Sequence, residues 1–313
     1  MSKLAVVIPA YKPDFLEEAL ESLKAQTNTE FVVYVGDDFG PSEIKIICDR
    51  YRSDLKLFYV RFDSNMGGSN LVGQWNRCLE MVQDEEWVWL FSDDDTLDEN
   101  CVQSFYEELN SENDHIDIFH YNINIIDDAG TVKSAEKPFP ELLDVESFIL
   151  QRSSGVIKSY VVEYIFKKEI LTDLGGFVDF PTAWHSDEAT VMYAARKGEI
   201  KTINGARVNW RSSPYNITPN AKNKDVVLQK VKASVEFASW LYHFMKENNL
   251  NFSSKLGYYM CKRFSYELYM YRRVLPFTVL VNYLVSYHNN LRIKSLLPLS
   301  FLMLLKYELF KSK

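Results

Sequence analysis

Glycine is scarce in this chain, 12 of 313 residues, and none of it is gathered into a phosphate-cradling loop. Neither G-x-x-x-x-G-K-[S/T] nor G-x-G-x-x-G occurs, which argues against ATPases and dinucleotide enzymes. The four cysteines, Cys48, Cys78, Cys101 and Cys261, are far apart and form no C-x-x-C pair, and the five histidines lack zinc-like spacing. The cysteines read as buried free thiols of a reducing compartment. Apolar runs able to span a bilayer are also missing. Val274 to Val285 and Leu296 to Leu305 each fall short of the ~20 residues required, and each holds a proline. No basic segment followed by a long apolar one opens the chain, so the expected location is the cytoplasm. No basic stripe with interleaved aromatics lies outside the C-terminal tail, so nucleic acid is not an expected partner.

What the chain does have is apolar content, 47 % of its residues, enough to fill one large α/β domain with an appendage or two modest domains. Its charge is uneven. From Lys255 to Lys313 ten Lys/Arg face only Glu267 and Glu308, so that stretch carries +8 within a chain of net −8, leaving −16 on residues 1 to 254. Basic residues flanking short apolar helices suit a protein lying on an anionic membrane surface. They equally suit a helical subdomain packed by its apolar faces.

The first third alternates strand and helix signals. Leu4 to Ile8, Phe31 to Val35, Leu55 to Phe62 and Trp87 to Phe91 read as buried strands. Phe15, Leu16, Ala19, Leu20 and Leu23 recur at helical spacing, Ile44, Ile46, Ile47 and Tyr51 suggest another helix, and Leu71 to Met81 forms a third. Such alternation implies parallel strands with right-handed crossovers, and ligands bind beyond the carboxyl ends of such strands. Three polar punctuations fall there: Pro9-Ala10-Tyr11, Asp37-Asp38 and Ser92-Asp93-Asp94-Asp95.

The last is the most telling. Three adjacent carboxylates repel one another and lose hydration where a buried strand emerges, and a cation relieves both costs. Hard oxygen ligands suit Mg²⁺ or Mn²⁺, which complete their shells with substrate phosphates. A solvated acidic loop capping the next helix is the plainer alternative.

Taken in order, these residues resemble the family 2 glycosyltransferases of GT-A fold. Val6-Val7-Ile8-Pro9-Ala10-Tyr11 looks like the opening strand and turn, and Val35-Gly36-Asp37-Asp38 like the V-D-D turn. Asn65-Met66-Gly67-Gly68 with Trp75-Asn76 looks like the N-x-G segment, and Ser92 to Asp95 occupies the DxD position. Leu174-Gly175-Gly176-Phe177 resembles the acceptor-side G-G-F, and Asp187 stands eleven residues before Gly198, as in the E-D motif and its helix end. The resemblance runs from about residue 4 to 220. It implies a mixed, mostly parallel α/β sheet with flanking helices over 1–220, divided into nucleotide-sugar binding (1–98) and acceptor (99–220) parts, and a helical extension over 221–313.

It also implies an inverting transfer from a nucleotide-diphospho-sugar to a hydroxyl of a glycan or lipid-linked acceptor, with Mn²⁺ or Mg²⁺ as cofactor. In such a site Pro9, Ala10 and Tyr11 border the base, Tyr11 stacking on it and Asp38 accepting its imide N–H, which favours uridine. Asn65 belongs to the same donor segment. Asp93 approaches the ribose, Asp94 and Asp95 the metal, and Arg211 the diphosphate. Asp187, or Glu188 beside it, takes the acceptor proton. Each residue has a structural alternative: Tyr11 as an aromatic lid, Asp37 or Asp38 as a helix cap, Asn65 and Asn76 as loop ties, Asp187 as an N-cap, and Arg211 as a salt-bridge residue. The family's pattern is not fully kept, since Ser186 stands where a glutamate is usual and Ser213 where some members have histidine. The loop Trp210 to Thr218 resembles the closing loop. A nucleotidyltransferase or a non-catalytic nucleotide-sugar-binding scaffold is the alternative, but the first would open with a glycine-rich triphosphate loop, where this chain has Pro9 to Pro13 without glycine. Surface polysaccharide or lipopolysaccharide assembly is the expected setting.

Overall fold

Leu4, Ala5, Val6, Val7 and Ile8 have no exposed surface, and an uninterrupted apolar run of this kind forms a strand covered on both faces. The computed structural model describes residues 2–111, 116–213 and 222–309. Its strands are β1 (Leu4–Ala10), β2 (Phe31–Asp37), β3 (Leu57–Arg61), β4 (Trp87–Leu90), β5 (Thr96–Leu97), β6 (Ile118–Ile126), β7 (Val132–Ala135), β8 (Leu142–Asp144), β9 (Tyr164–Lys167) and β10 (Glu199–Arg211). Helices α1 (Leu16–Lys24), α2 (Glu43–Tyr51), α3 (Leu71–Leu79), α4 (Cys101–Asn110), α5 (Val145–Ser154), α6 (Lys168–Leu174) and α7 (Ser186–Ala194) alternate with them. Four more follow: α8 (Lys224–Glu247), α9 (Ser254–Tyr271), α10 (Phe277–Asn290) and α11 (Leu297–Leu309).

The strands form one ten-stranded sheet in the order β3-β2-β1-β4-β9-β6-β10-β5, with β7 against β6 and β8 against β10. The longer ladders are parallel: β1 pairs with β2 from Leu4↔Phe31 to Ala10↔Asp37, and β6 with β10 from Ile200↔Ile118 to Arg211↔Ile126. Antiparallel ladders of two or three residue pairs insert β9 and attach β5, β7 and β8. The sheet is therefore mixed and mostly parallel. Helix α1 buries Leu16, Ala19, Leu20 and Leu23, the stripe read from their spacing, in the same core as Val6, Val33 and Trp89. Each such side chain is worth about 1.5–3 kcal/mol when fully buried. Trp89 stacks on Tyr121 at 5.1 Å, and its indole N–H donates to the Val162 carbonyl at 2.7 Å, so the ring gives up no hydrogen bond for its burial.

The chain divides into two compact units, and the division is not the single cut expected at 220/221. The first unit comprises Met1–Val145, Lys158–Val178 and Thr190–Ser213, and contains the whole sheet; the second comprises Glu146–Ile157, Asp179–Ala189 and Pro214–Lys313. Polar side chains hold the early segments inside the second unit. Glu146 accepts from the Asn251 amide at 3.0 Å, and Arg152 from α5 and Arg263 from α9 both pair with Glu188. Within that unit Asn223 caps α8 and Ser253 caps α9, and Phe264 stacks on Tyr287 at 4.0 Å. The C-terminal helices thus form a packed subdomain with a core of its own. All four cysteines are buried thiols, as their isolation in the sequence suggested. Among the described residues no helix is long and apolar enough to cross a membrane. Of the expected closing loop, Pro214 to Thr218 lies outside the described residues.

Candidate active site

Chain order places the site. After β1 the chain runs outward through β2 and β3, then returns to add β4 on the other side of β1, so the connections leaving β1 and β4 diverge and open a crevice at the sheet's carboxyl edge. Tyr11 follows β1 and Ser92 to Asp95 follow β4, one on each side of that crevice. The two loops are tied directly, since Asp93 Oδ2 accepts the Tyr11 amide at 2.9 Å and the Lys12 amide at 3.2 Å. Tyr11 itself is 48 % exposed.

Asp38, after β2, is buried, and its amide donates to the Ala10 carbonyl at 2.8 Å. Its carboxylate holds the segment after β3. Oδ1 accepts the Met66 amide at 2.6 Å and an Arg77 guanidinium N–H, and Oδ2 accepts the Gly67 amide at 2.8 Å and Asn65 Nδ2 at 3.0 Å. A carboxylate offers about four lone-pair sites, and all are taken. The expected hydrogen bond from a base imide to Asp38 therefore has no acceptor here. Asp38 and Asn65 tie the segment after β3 to the turn after β2, with Asn65 Oδ1 also accepting the Gly68 amide at 3.0 Å. Asn76 is a loop tie as well: its Oδ1 accepts the Phe177 amide at 2.7 Å, beneath Gly176 at φ 107°.

Arg211 departs furthest from expectation. Its side chain is fully buried and braces the acidic loop from behind. The backbone amide donates to Asp95 Oδ1 at 2.7 Å, Nε to the Asp94 carbonyl at 2.7 Å, Nη1 to the Asp127 and Asp128 carbonyls at 2.9 and 3.0 Å, and Nη2 to Glu18 at 2.6 Å. The Phe15 ring packs on the guanidinium, its centroid 4.2 Å away. A group so committed is not a diphosphate clamp. It fixes the direction in which the carboxylates point.

Those carboxylates are under electrostatic load. Burial pushes Asp93 up to about 6, with the Asp94 charge adding to it. Asp94 is raised by burial against a hydrogen bond from Ser92, and Asp95 well above the usual range by burial and then by Asp94. Asp93 and Asp94 are half-buried and Asp95 is buried. Among the described residues no three Asp, Glu, His or Cys side chains converge to hold a cation by themselves. One or two carboxylates at this edge, completed by substrate phosphates and water, are the donor set that Mg²⁺ and Mn²⁺ accept, and a dication relieves the load. The residues present fit such an ion, with Asp94 and Asp95 as the candidate ligands.

Asp187 and Glu188 lie in the first turn of α7, within the second unit. Glu188 is 1 % exposed. Its Oε1 accepts Arg263 Nη1 at 2.8 Å, and its Oε2 accepts Arg263 Nη2 at 2.8 Å and Arg152 Nη2 at 3.2 Å and lies 3.1 Å from His185 Nδ1. Burial alone would raise its carboxyl, but the two guanidiniums outweigh that and hold it well below the carboxylate range. So weak a base, with both oxygens engaged, does not serve as proton acceptor. Asp187, beside it in the same turn, is half-buried.

The sequence reading missed Arg77, Glu18 and Lys12, which hold Asp38, Arg211 and Asp93 in place. Arg77 follows Asn76 directly, but only the fold shows what it grips. A sequence profile of Glycosyl transferase family 2 matches residues 5–162, just over half of the chain. The chain belongs to that family. As a family 2 glycosyltransferase of GT-A fold it is similar along nearly its whole length to two solved structures. TarS from S. aureus, in complex with UDP-GlcNAc, is 17 % identical at a TM-score of 0.61, over 97 % of this chain and 89 % of that one. The mannosyltransferase PcManGT from Pyrobaculum calidifontis, in complex with GDP-Man and Mn²⁺, is 14 % identical at 0.51, over 99 % and 88 %. At these identities the likeness is one of fold. A search of the curated proteins finds no match.

Proposed function

We propose that this glycosyltransferase moves a sugar, with inversion, from a nucleotide-diphospho-sugar to a hydroxyl of a glycan or lipid-linked acceptor, with Mn²⁺ or Mg²⁺ as cofactor. The observation that carries the reading is the acidic loop Asp93 to Asp95, tied to the Tyr11 and Lys12 amides at the carboxyl edge of β1 and β4. Tyr11 offers its ring to the base, and Asp93 lies at the same tie, within reach of a ribose. Asp94 would hold a divalent cation, and such an ion would supply the positive charge that a departing diphosphate needs. Asp187 takes the acceptor proton as the acceptor oxygen bonds to the anomeric carbon and the bond from that carbon to the diphosphate breaks. A UDP-sugar is the preferred donor of this proposal, a hexosyl or N-acetylhexosaminyl unit the transferred group, and surface polysaccharide or lipopolysaccharide assembly at the cytoplasmic membrane the setting.

The test is donor binding and hydrolysis over a panel of UDP- and GDP-sugars with Mn²⁺ or Mg²⁺, repeated with Asp187→Asn. The substituted protein should bind donor normally and turn over at least ~100-fold more slowly, the scale for losing a positioned base. Near-native turnover would remove Asp187 from the reaction, and a native protein that binds no nucleotide sugar would overturn the reading.

A further inference from the structure

Phe39 combines two properties that rarely coincide. Its φ is 60°, in the left-handed region that a residue with a Cβ rarely adopts, and the residue is 53 % exposed. Burial normally offsets the cost of such a backbone for an aromatic residue, and here it does not. A glycine would adopt the same turn without strain. The conformation therefore serves to present the ring.

The ring is held from behind. The Arg61 guanidinium lies 4.8 Å from its centroid, and Arg61 is itself anchored, Nη1 donating at 2.9 Å to Asp37, which has no exposed surface. Asp37 also accepts the Gly40 amide at 2.7 Å, closing the turn around Phe39. That turn sits against the β1 loop: a Cβ at Gly40 would stand 2.5 Å from the Tyr11 carbonyl oxygen. Two exposed aromatic residues thus sit on adjoining turns, after β1 and after β2, at the carboxyl edge of the sheet, and the ring of Phe39 is backed by a cation.

We propose that Phe39 is a second nucleobase-stacking residue of the donor site, acting with Tyr11. This rests on the nucleotide-sugar reading above. Stacking is tolerant of the base, because every base has a π-face, so Phe39 contributes to affinity for uridine and guanosine nucleotides alike and leaves the choice between them to other contacts.

The test uses the full chain as native protein, Phe39→Gly and Phe39→Tyr, with UDP, GDP and inorganic pyrophosphate as probes in the presence of Mn²⁺ and thermal melting as the stability measure. Phe39→Gly should melt at or above the native temperature and bind both nucleotides about tenfold more weakly, while pyrophosphate, which has no base, binds as before. Phe39→Tyr, which keeps the ring, should retain native affinity. Unchanged nucleotide affinity in Phe39→Gly, beside a native protein that binds, overturns this proposal alone. So does a parallel loss of pyrophosphate binding, which would mark a structural role. A native protein that binds neither nucleotide overturns the nucleotide-sugar reading and this proposal with it.

Discussion

Asp94 and Arg211 are joined through a carbonyl, yet their substitution should have opposite signatures. Asp94→Asn removes a charge from a crowded acidic loop and relieves repulsion, so the protein should stay folded and melt no lower than native, while Mn²⁺-dependent nucleotide binding disappears. Retained Mn²⁺-dependent affinity would remove Asp94 from the metal site. Arg211→Met takes the guanidinium donor from the carbonyls of Asp94, Asp127 and Asp128 and exposes no new ligand group, so its first effect should be on stability. A loss of about 1–3 kcal/mol in denaturant unfolding is expected, the scale for losing hydrogen bonds made by a charged group. The sequence motif gave the position of each residue but not its partner. Arg211 read as a phosphate ligand because an arginine beside acidic loops is chemically suited to either task, and only its complete burial decides between them.

Among the elements, β1 to β4 were legible from residue order because a buried parallel strand is written as one apolar run with polar punctuation at its carboxyl end. The short antiparallel additions β5, β7 and β8 carry no such signature. The recruitment of α5 and the turn before α7 into the C-terminal unit was invisible for a different reason: it depends on ion pairs between residues far apart in the chain. Those pairs have measurable consequences. Removing one partner of a buried pair is costly, so Arg263→Met should lower stability by about 3–5 kcal/mol. Gly176→Ala forces a Cβ to within 2.5 Å of Asn76 Oδ1 in a left-handed turn and should destabilise by about 2 kcal/mol, seen as a lower melting temperature. The same cluster sets a pH dependence. Burial lowers His185 to about 4, so the unfolded chain takes up its proton first as pH drops below about 6.5, and stability falls. Glu188, held low, adds to that fall below about pH 4.5, while Glu267, raised to about 7 by burial, opposes it between about 4.5 and 7. Glu267→Gln removes the opposing contribution, so between about pH 7 and 4.5 acidification should lower its melting temperature relative to the native protein.

For the molecule as a whole, the expectation of a basic C-terminal region finds a specific surface on α9. Lys255, Tyr258, Lys262, Tyr266 and Met270 recur at three- and four-residue intervals and are all exposed, while the only acid of that helix, Glu267, is turned away from them. Cations and tyrosines on one face suit the headgroup region of an anionic bilayer. Full-length protein should sediment with anionic but not neutral vesicles and be released by salt, and Lys262→Glu should weaken the association; equal failure to bind both vesicle types would leave the helices a packed subdomain only. Synthesis of the chain faces a separate difficulty. Glu188 leaves the ribosome 75 residues ahead of Arg263, which completes its ion cluster, so the segments around it have no buried site to enter until most of the protein exists. The sheet unit ends at Ser213 and can mature earlier, with residues 146–157 and 179–189 waiting outside it as loops. A chain stopped near residue 220 is then not a smaller enzyme but an arrested folding intermediate, with a carboxylate still awaiting the second of its two guanidiniums.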